Sequence, residues 1–185
     1  MRFSTFSILT LAGSAIAAPA ILAPRDDSIV KYNIKRVYDS MQALDTAFTK
    51  KPRANANQQT LNTFVDQVLR LNGAVISELR AGADDMRRAK GKVNTLEVVG
   101  LQSTLTSNDR LNNDVVSGWI DIKKHVATVR RMEDVLQALL SAQREFSYFS
   151  DSLILTLPSL TQSMAQSIKT RFNNNLDKAI REYRR

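Results

Sequence analysis

Apolar residues in this chain recur every three or four positions, and a sustained alternation every second position is found nowhere. From Val30 the series Val30, Ile34, Val37, Met41, Leu44 and Phe48 lays one apolar stripe along a helix face. Asp27 or Ser28 can cap its start, and Pro52, which has no amide hydrogen to continue the ladder, ends it. A second stripe runs Leu61, Val65, Val68, Asn72, Val75 and Leu79, widened by Phe64, Leu69 and Ile76, with Gly82 placed as its stop. In the third region, Leu96–Leu105 and Val115–Ile122 carry apolar positions, but Asn108, Asp109, Asn112, Asn113 and Asp114 crowd between them. Those residues predict one helix of poor propensity or two pieces joined at a kink.

The fourth stripe is long: Val129, Met132, Leu136, Leu139, Gln143, Phe146, Ser150, Leu153 and Leu157. Pro158 suits the first turn of a fifth helix, whose stripe is Leu160, Met164, Ile168, Phe172, Leu176, Ile180 and Tyr183. The pattern predicts an all-α fold, an antiparallel bundle of about five amphipathic helices, each about 30 Å long. Gly82 to Asn94, rich in charge and holding Gly91, reads as a long exposed connection, a plain surface loop or else a mobile flap. Glycines at 73, 82, 91 and 100 are evenly spaced, but the residues between them do not repeat, so the spacing marks no solenoid.

With 185 residues, 43% of them hydrophobic, the chain can bury one core of moderate size and needs no second domain. Before the first stripe, Met1-Arg2 and the uncharged stretch Phe6 to Ala18 form a leader pattern, with Ala15-Ile16-Ala17 meeting the small-x-small cleavage rule. That stretch is too short to span a bilayer. The expected organisation is therefore a secretory signal peptide over 1–17, a tail or short pro-segment over 18–27, and a helical-bundle domain over 28–185, delivered to the extracellular space or cell wall. Secretion without a single cysteine leaves stability to core burial. No Asn-x-Ser/Thr sequon is present, and the charged ending Arg181–Arg185, without a hydrophobic tail, predicts that the chain carries no lipid anchor of the GPI type.

The absence of cysteine and the single histidine, His125, remove thiol catalysis, Cys-based zinc sites and multi-His metal sites together. No phosphate loop, nucleophile elbow or calcium loop occurs. The neighbours Asp26-Asp27, Asp84-Asp85 and Glu133-Asp134 are poor acid/base pairs, because adjacent residues on a helix diverge; Asp84-Asp85 is placed in a loop. His125, among Lys123, Lys124 and Arg130, reads as exposed and incidental. These residues predict a non-enzymatic protein with no cofactor and no metal.

A formal charge of +8 favours anionic partners without selecting one. The doublets Lys50-Lys51, Arg87-Arg88, Lys123-Lys124, Arg130-Arg131 and Arg184-Arg185 are spread along the chain and read as solvated charges near helix ends. Nucleic acid is not the expected partner, since no DNA-binding helix pattern accompanies the charge. More informative are three polar residues on the apolar stripes. An unpaired buried amide or hydroxyl costs about 1–3 kcal/mol, so Asn72, Gln143 and Ser150 must pair, hold water or meet the polar head of a ligand. The corresponding apolar wall would be Phe64, Val68, Leu136, Leu139, Phe146, Leu153, Met164, Ile168 and Phe172.

The start MRFSTFSILTLAGSAIAAPA, the SMQALDTAF segment and the ending DSLILTLPSLTQSMAQSIKTRFNNNLDKAIREY, with Leu157-Pro158-Ser159-Leu160 before a helix ending Asp177-Lys178-Ala179-Ile180, resemble the fungal cell-wall galactomannoproteins, also called the hydrophobic-surface-binding protein A family. The resemblance implies a secreted, cysteine-poor bundle that adsorbs to hydrophobic surfaces or encloses a fatty acid or other amphipathic lipid between its helices. A second reading, from the charge, is a structural or interaction protein docking on wall polysaccharide or a host protein through its surface, around a solid core.

Overall fold

The computed structural model describes residues 26–53, 55–89 and 110–185, and within these every regular element is a helix. The helices are α1 (Asp26–Thr49), α2 (Gln58–Arg88), α3 (110–121), α4 (Lys123–Thr128), α5 (Met132–Thr156) and α6 (Ser159–Arg184). The all-α bundle expected from the stripes is the fold observed. The leader over 1–17, most of the tail over 18–27 and the Leu96–Leu105 stripe lie outside the described residues.

Each stripe that lies among the described residues became a buried face. Ile34, Leu44, Leu61, Val65, Val68, Leu79, Leu139 and Leu157 are fully buried, and the rest of the first stripe joins them. Pairing follows from these faces: α1 packs on α2, α2 on α5, and α5 on α6, while the short α4 bridges α2 and α5. Two adjacent helices, α2 and α5, run parallel. Their cross-links keep a nearly constant sequence offset, from Arg131–Asp66 through Arg80–Glu145 to Tyr148–Asp84 and Arg87–Ser152. The parallel pairing arises because α3 and α4 carry the chain back to the end where α2 began. Of the third region, 110–122 is described: Asn112, Asn113 and Asp114 sit inside α3, and a further short helix, α4, follows directly after Ile122.

Helix ends deviate from the sequence reading in instructive ways. Asn57 caps α2, its side chain accepting from the Thr60 amide at 2.8 Å. Gly82 does not stop α2, which continues to Arg88, so Asp84 and Asp85 are helical and not in a loop. The reason is packing: a Cβ at Gly82 would lie 2.8 Å from the Phe149 ring and 3.2 Å from Asn33 Cβ. α5 begins at Met132, later than the stripe suggested, because Val129–Arg131 form the turn out of α4. There Arg130 takes the left-handed conformation (φ 59°), Arg131 N donates to Val126 O and Arg130 N to Ala127 O, the double bond of a Schellman stop. Pro158 precedes α6 by one residue in extended backbone.

The lower half of the bundle, where α1 and α6 end, is closed by α3. Trp119, 1% exposed, meets Phe48 of α1 edge to face at 5.2 Å, and its carbonyl accepts a 2.8 Å bond from the Tyr183 hydroxyl of α6. Burial holds the Tyr183 phenol well above its ordinary pKa. Gly118 lets α3 approach α1 this closely, since a Cβ there would fall on the Phe48 ring. Two alanine substitutions should therefore change stability in opposite directions. Gly118→Ala gains about 1 kcal/mol of helix propensity but loses about 1–3 kcal/mol to overpacking. Gly73→Ala, with nothing within 4 Å of its would-be Cβ, keeps the gain. Urea unfolding should show a lowered midpoint for the first and a raised one for the second.

Candidate functional site

Above α3, helices α1 and α6 face each other across a cleft floored by α5. Among the described residues α1 contributes Ile34, Val37 and Met41; α5 contributes Phe146, Phe149, Ser150 and Leu153; and α6 contributes Ala165, Ile168 and Phe172. The lining is apolar except for Ser150. Each helix supplies positions from its own stripe, so the cleft is the place where three apolar faces meet without filling the space between them. Its enclosed volume is about 50 Å³. Sites for drug-sized ligands occupy about 300–1,000 Å³. Much of the space is taken by Phe146 and Phe172, whose rings stack face to face, 3.3 Å between centroids and 8° from parallel.

Ser150 is 6% exposed and its hydroxyl takes part in no hydrogen bond among the described residues. It is the one polar group of the described lining available to a ligand. Two other buried amides are also unpaired: Asn33 on α1 and Asn112 on α3, each 1% exposed, with neither the Oδ1 nor the Nδ2 partnered. Asn33 adjoins the cleft through Phe149, since its Cβ and the Phe149 ring both crowd the face of Gly82. A signal for Asn33 was present in the sequence, as a polar neighbour of Ile34 on the inner side of the first stripe.

The structure separates the residues proposed from the stripes. Phe146, Ser150, Leu153, Ile168 and Phe172 come together at the cleft. Phe64, Val68 and Leu139 are buried elsewhere in the core, Phe64 packing edge-on to the His125 ring, and Leu136 and Met164 are half-buried against it. Asn72 and Gln143 are engaged in the scaffold: Asn72 donates to the Ala138 carbonyl at 3.3 Å, and Gln143 donates to Asp177 at 2.8 Å. The stripes missed Ile34, Val37, Met41, Phe149 and Ala165, because a stripe identifies a buried face but not which part of it borders empty space.

Polar links fasten the helices on either side of α5. Toward α6 they recur each turn: Gln143 to Asp177, Ser147 to Asn173, and Asp151 to Lys169 at 2.6 Å. Toward α2 the buried Glu145, 4% exposed, accepts from Arg80 Nε and Nη2 at 3.1 and 2.5 Å, and Arg144 adds a third bond. Hydrogen bonding from Arg80 holds the Glu145 carboxyl below its usual range. Arg80, Asp84, Arg144, Glu145 and Tyr148 surround an open surface concavity, but its charges are paired with one another and the Tyr148 hydroxyl donates to Asp84 at 2.9 Å. That concavity is a scaffold joint. His125 is likewise structural and not incidental: half-buried, its Nε2 lies 3.0 Å from the Pro52 carbonyl, pinning α4 to the loop after α1.

No group of three or more His, Asp or Glu residues placed to hold a metal occurs among the described residues, and no described helix is long and apolar enough to cross a membrane. The chain matches no family model and no curated protein by sequence. Its fold is similar to solved fungal structures. Ligand binding domain 1 of the Penicillium marneffei MP1 protein, complexed with arachidonic acids, superposes with a TM-score of 0.77 at 12% identity, over 86% of this chain and 99% of that one. Domain 2 of the same protein, complexed with multiple arachidonic acids, gives 0.76 at 12% identity over 87% and 97%. AFMP4P in complex with palmitic acid gives 0.72 at 11% identity over 85% and 99%. At such identities the likeness establishes a shared all-α fold.

Proposed function

We propose that this chain is a secreted, non-enzymatic fungal protein of the galactomannoprotein type that binds a long-chain fatty acid in the cleft between α1 and α6. The observation that carries this reading is an apolar cleft whose single described polar lining group, Ser150, has a free hydroxyl, in a fold shared with proteins solved in complex with arachidonic or palmitic acid. Ile34, Val37, Met41, Leu153, Ile168 and the two stacked phenylalanines would hold the acyl chain, and Ser150 its carboxylate. Each buried methylene contributes about 0.8 kcal/mol, so a long chain needs no covalent attachment.

An acyl chain does not fit into about 50 Å³. Loading therefore requires the stacked rings of Phe146 and Phe172 to move out of the cleft and the gap between α1 and α6 to widen. Secretion is supported by the leader pattern over residues 1–17.

Native mass spectrometry of the protein with palmitic or arachidonic acid tests the proposal, since each bound lipid adds a discrete mass. A saturable adduct is expected. Ser150→Ala should weaken it about tenfold, the worth of one hydrogen bond to a charged group. A bare mass from folded protein at micromolar lipid would refute the reading.

A further inference from the structure

Four of the five basic doublets that the sequence scatters are brought to one pole of the bundle. Lys51 pairs with Asp121 at 2.9 Å, His125 meets the Pro52 carbonyl, and Lys123 pairs with Glu182 at 3.2 Å, so the segments 50–53, 121–124 and 181–185 form one end face. These segments hold eight lysines and arginines against two acids, Asp121 and Glu182, a surplus of six in a chain whose whole formal charge is +8. Lys50, Arg53, Lys124, Arg181 and Arg184 are exposed and form no ion pair with any described residue. The neighbouring turn adds Arg130, exposed, and Arg131, which Asp66 and Asp134 already engage. Like charges crowded at one face repel each other, a cost that an anionic partner would relieve.

We infer that this pole docks the protein on an anionic lipid bilayer. The charges come from three separate helix ends spread over an end face, an arrangement that a plane can reach at once. Among the described residues the large apolar side chains that stand exposed, Tyr32 and Leu155, lie near the start of α1 and the end of α5, at the opposite pole. Docking at the basic pole is therefore electrostatic and shallow, with no described apolar side chain to insert, and salt reverses it. It stands the bundle upright, with Met41 and the cleft about 14 Å above Lys50 along α1. A bilayer is chosen over an anionic polymer partly because fatty acid is drawn from and returned to bilayers, and that clause rests on the function proposed above.

The test is flotation of the full protein with vesicles of phosphatidylserine and phosphatidylcholine, against pure phosphatidylcholine, at low and high salt. Binding is expected only on the anionic vesicles at low salt. Each basic group near such a surface is worth about fivefold in partitioning, so Lys124→Glu with Arg184→Glu should lower it by about 25-fold or more. Lys31→Glu with Arg70→Glu, the same charge change away from the pole, should cost much less. Absence of flotation at low salt, equal losses in both double variants, or capture by a sulfated polysaccharide without capture by vesicles would each overturn the inference. Palmitate uptake by Lys124→Glu with Arg184→Glu, read by native mass spectrometry, is expected to match the unmodified protein. Absence of uptake with flotation intact would instead refute the fatty-acid reading alone.

Discussion

Ile168→Asp is expected to reduce fatty-acid affinity about a hundredfold while leaving the bundle folded. Ile168 lines the cleft on α6 yet is only half-buried, so a carboxylate there keeps water on one side and does not become a buried charge. On the other side it replaces apolar wall and repels an anionic headgroup passing into the cleft. Losing contact with about three methylenes removes about 2.4 kcal/mol, which is itself about sixtyfold in Kd, and the repulsion adds to it. Titration of a fluorescent fatty acid, with circular dichroism as the folding control, measures both halves of the expectation. Affinity equal to that of the unmodified protein would mean that the lipid does not pass between α1 and α6.

The largest effect on stability is expected at Trp119. Its indole is buried where α1, α3 and α6 converge, against the Phe48 ring and beside the Tyr183 bond to its own carbonyl. Trp119→Ala should cost about 3–5 kcal/mol, as truncations of large buried aromatics do when the site cannot collapse. For a domain of this size each kcal/mol lowers Tm by about 2–4 °C, so a loss on the order of 10 °C should appear in a thermal melt. A loss of only one or two degrees would mean that α3 does not hold the lower half of the bundle closed. The position also separates stability from binding, because Trp119 does not line the cleft: if the variant remains folded at low temperature, fatty-acid uptake should persist.

The two expectations concern opposite halves of one gap. Below, α3 fills the space between α1 and α6 with Trp119 and joins them through Phe48 and Tyr183. Above, the same space is the cleft, partly filled by the stacked rings of Phe146 on α5 and Phe172 on α6. α5 stays fastened on both sides throughout, by Arg80–Glu145 toward α2 and by Lys169–Asp151 toward α6.

Much of this was determined by local sequence. A stripe such as Val30, Ile34, Val37, Met41, Leu44 and Phe48 has one low-energy reading, a helix with one buried face, because period and burial reinforce each other along the whole segment. Pro52 and Pro158 mark the connections for equally local reasons. The apolar and polar character of the site, down to Ser150 on the fourth stripe, was legible in the same way. Only the tertiary structure decided which buried positions border empty space, because that depends on how three faces meet and not on any one of them. It alone distinguished Ser150 from Asn72 and Gln143, whose partners, Ala138 and Asp177, lie on another helix. It turned Gly82 from a stop into a contact point for Phe149, since the ring that requires the missing Cβ comes from 67 residues later in the chain. The basic pole has the same origin: charges far apart in sequence are brought together because helix ends meet at the two poles of a bundle, and no window of sequence contains that geometry.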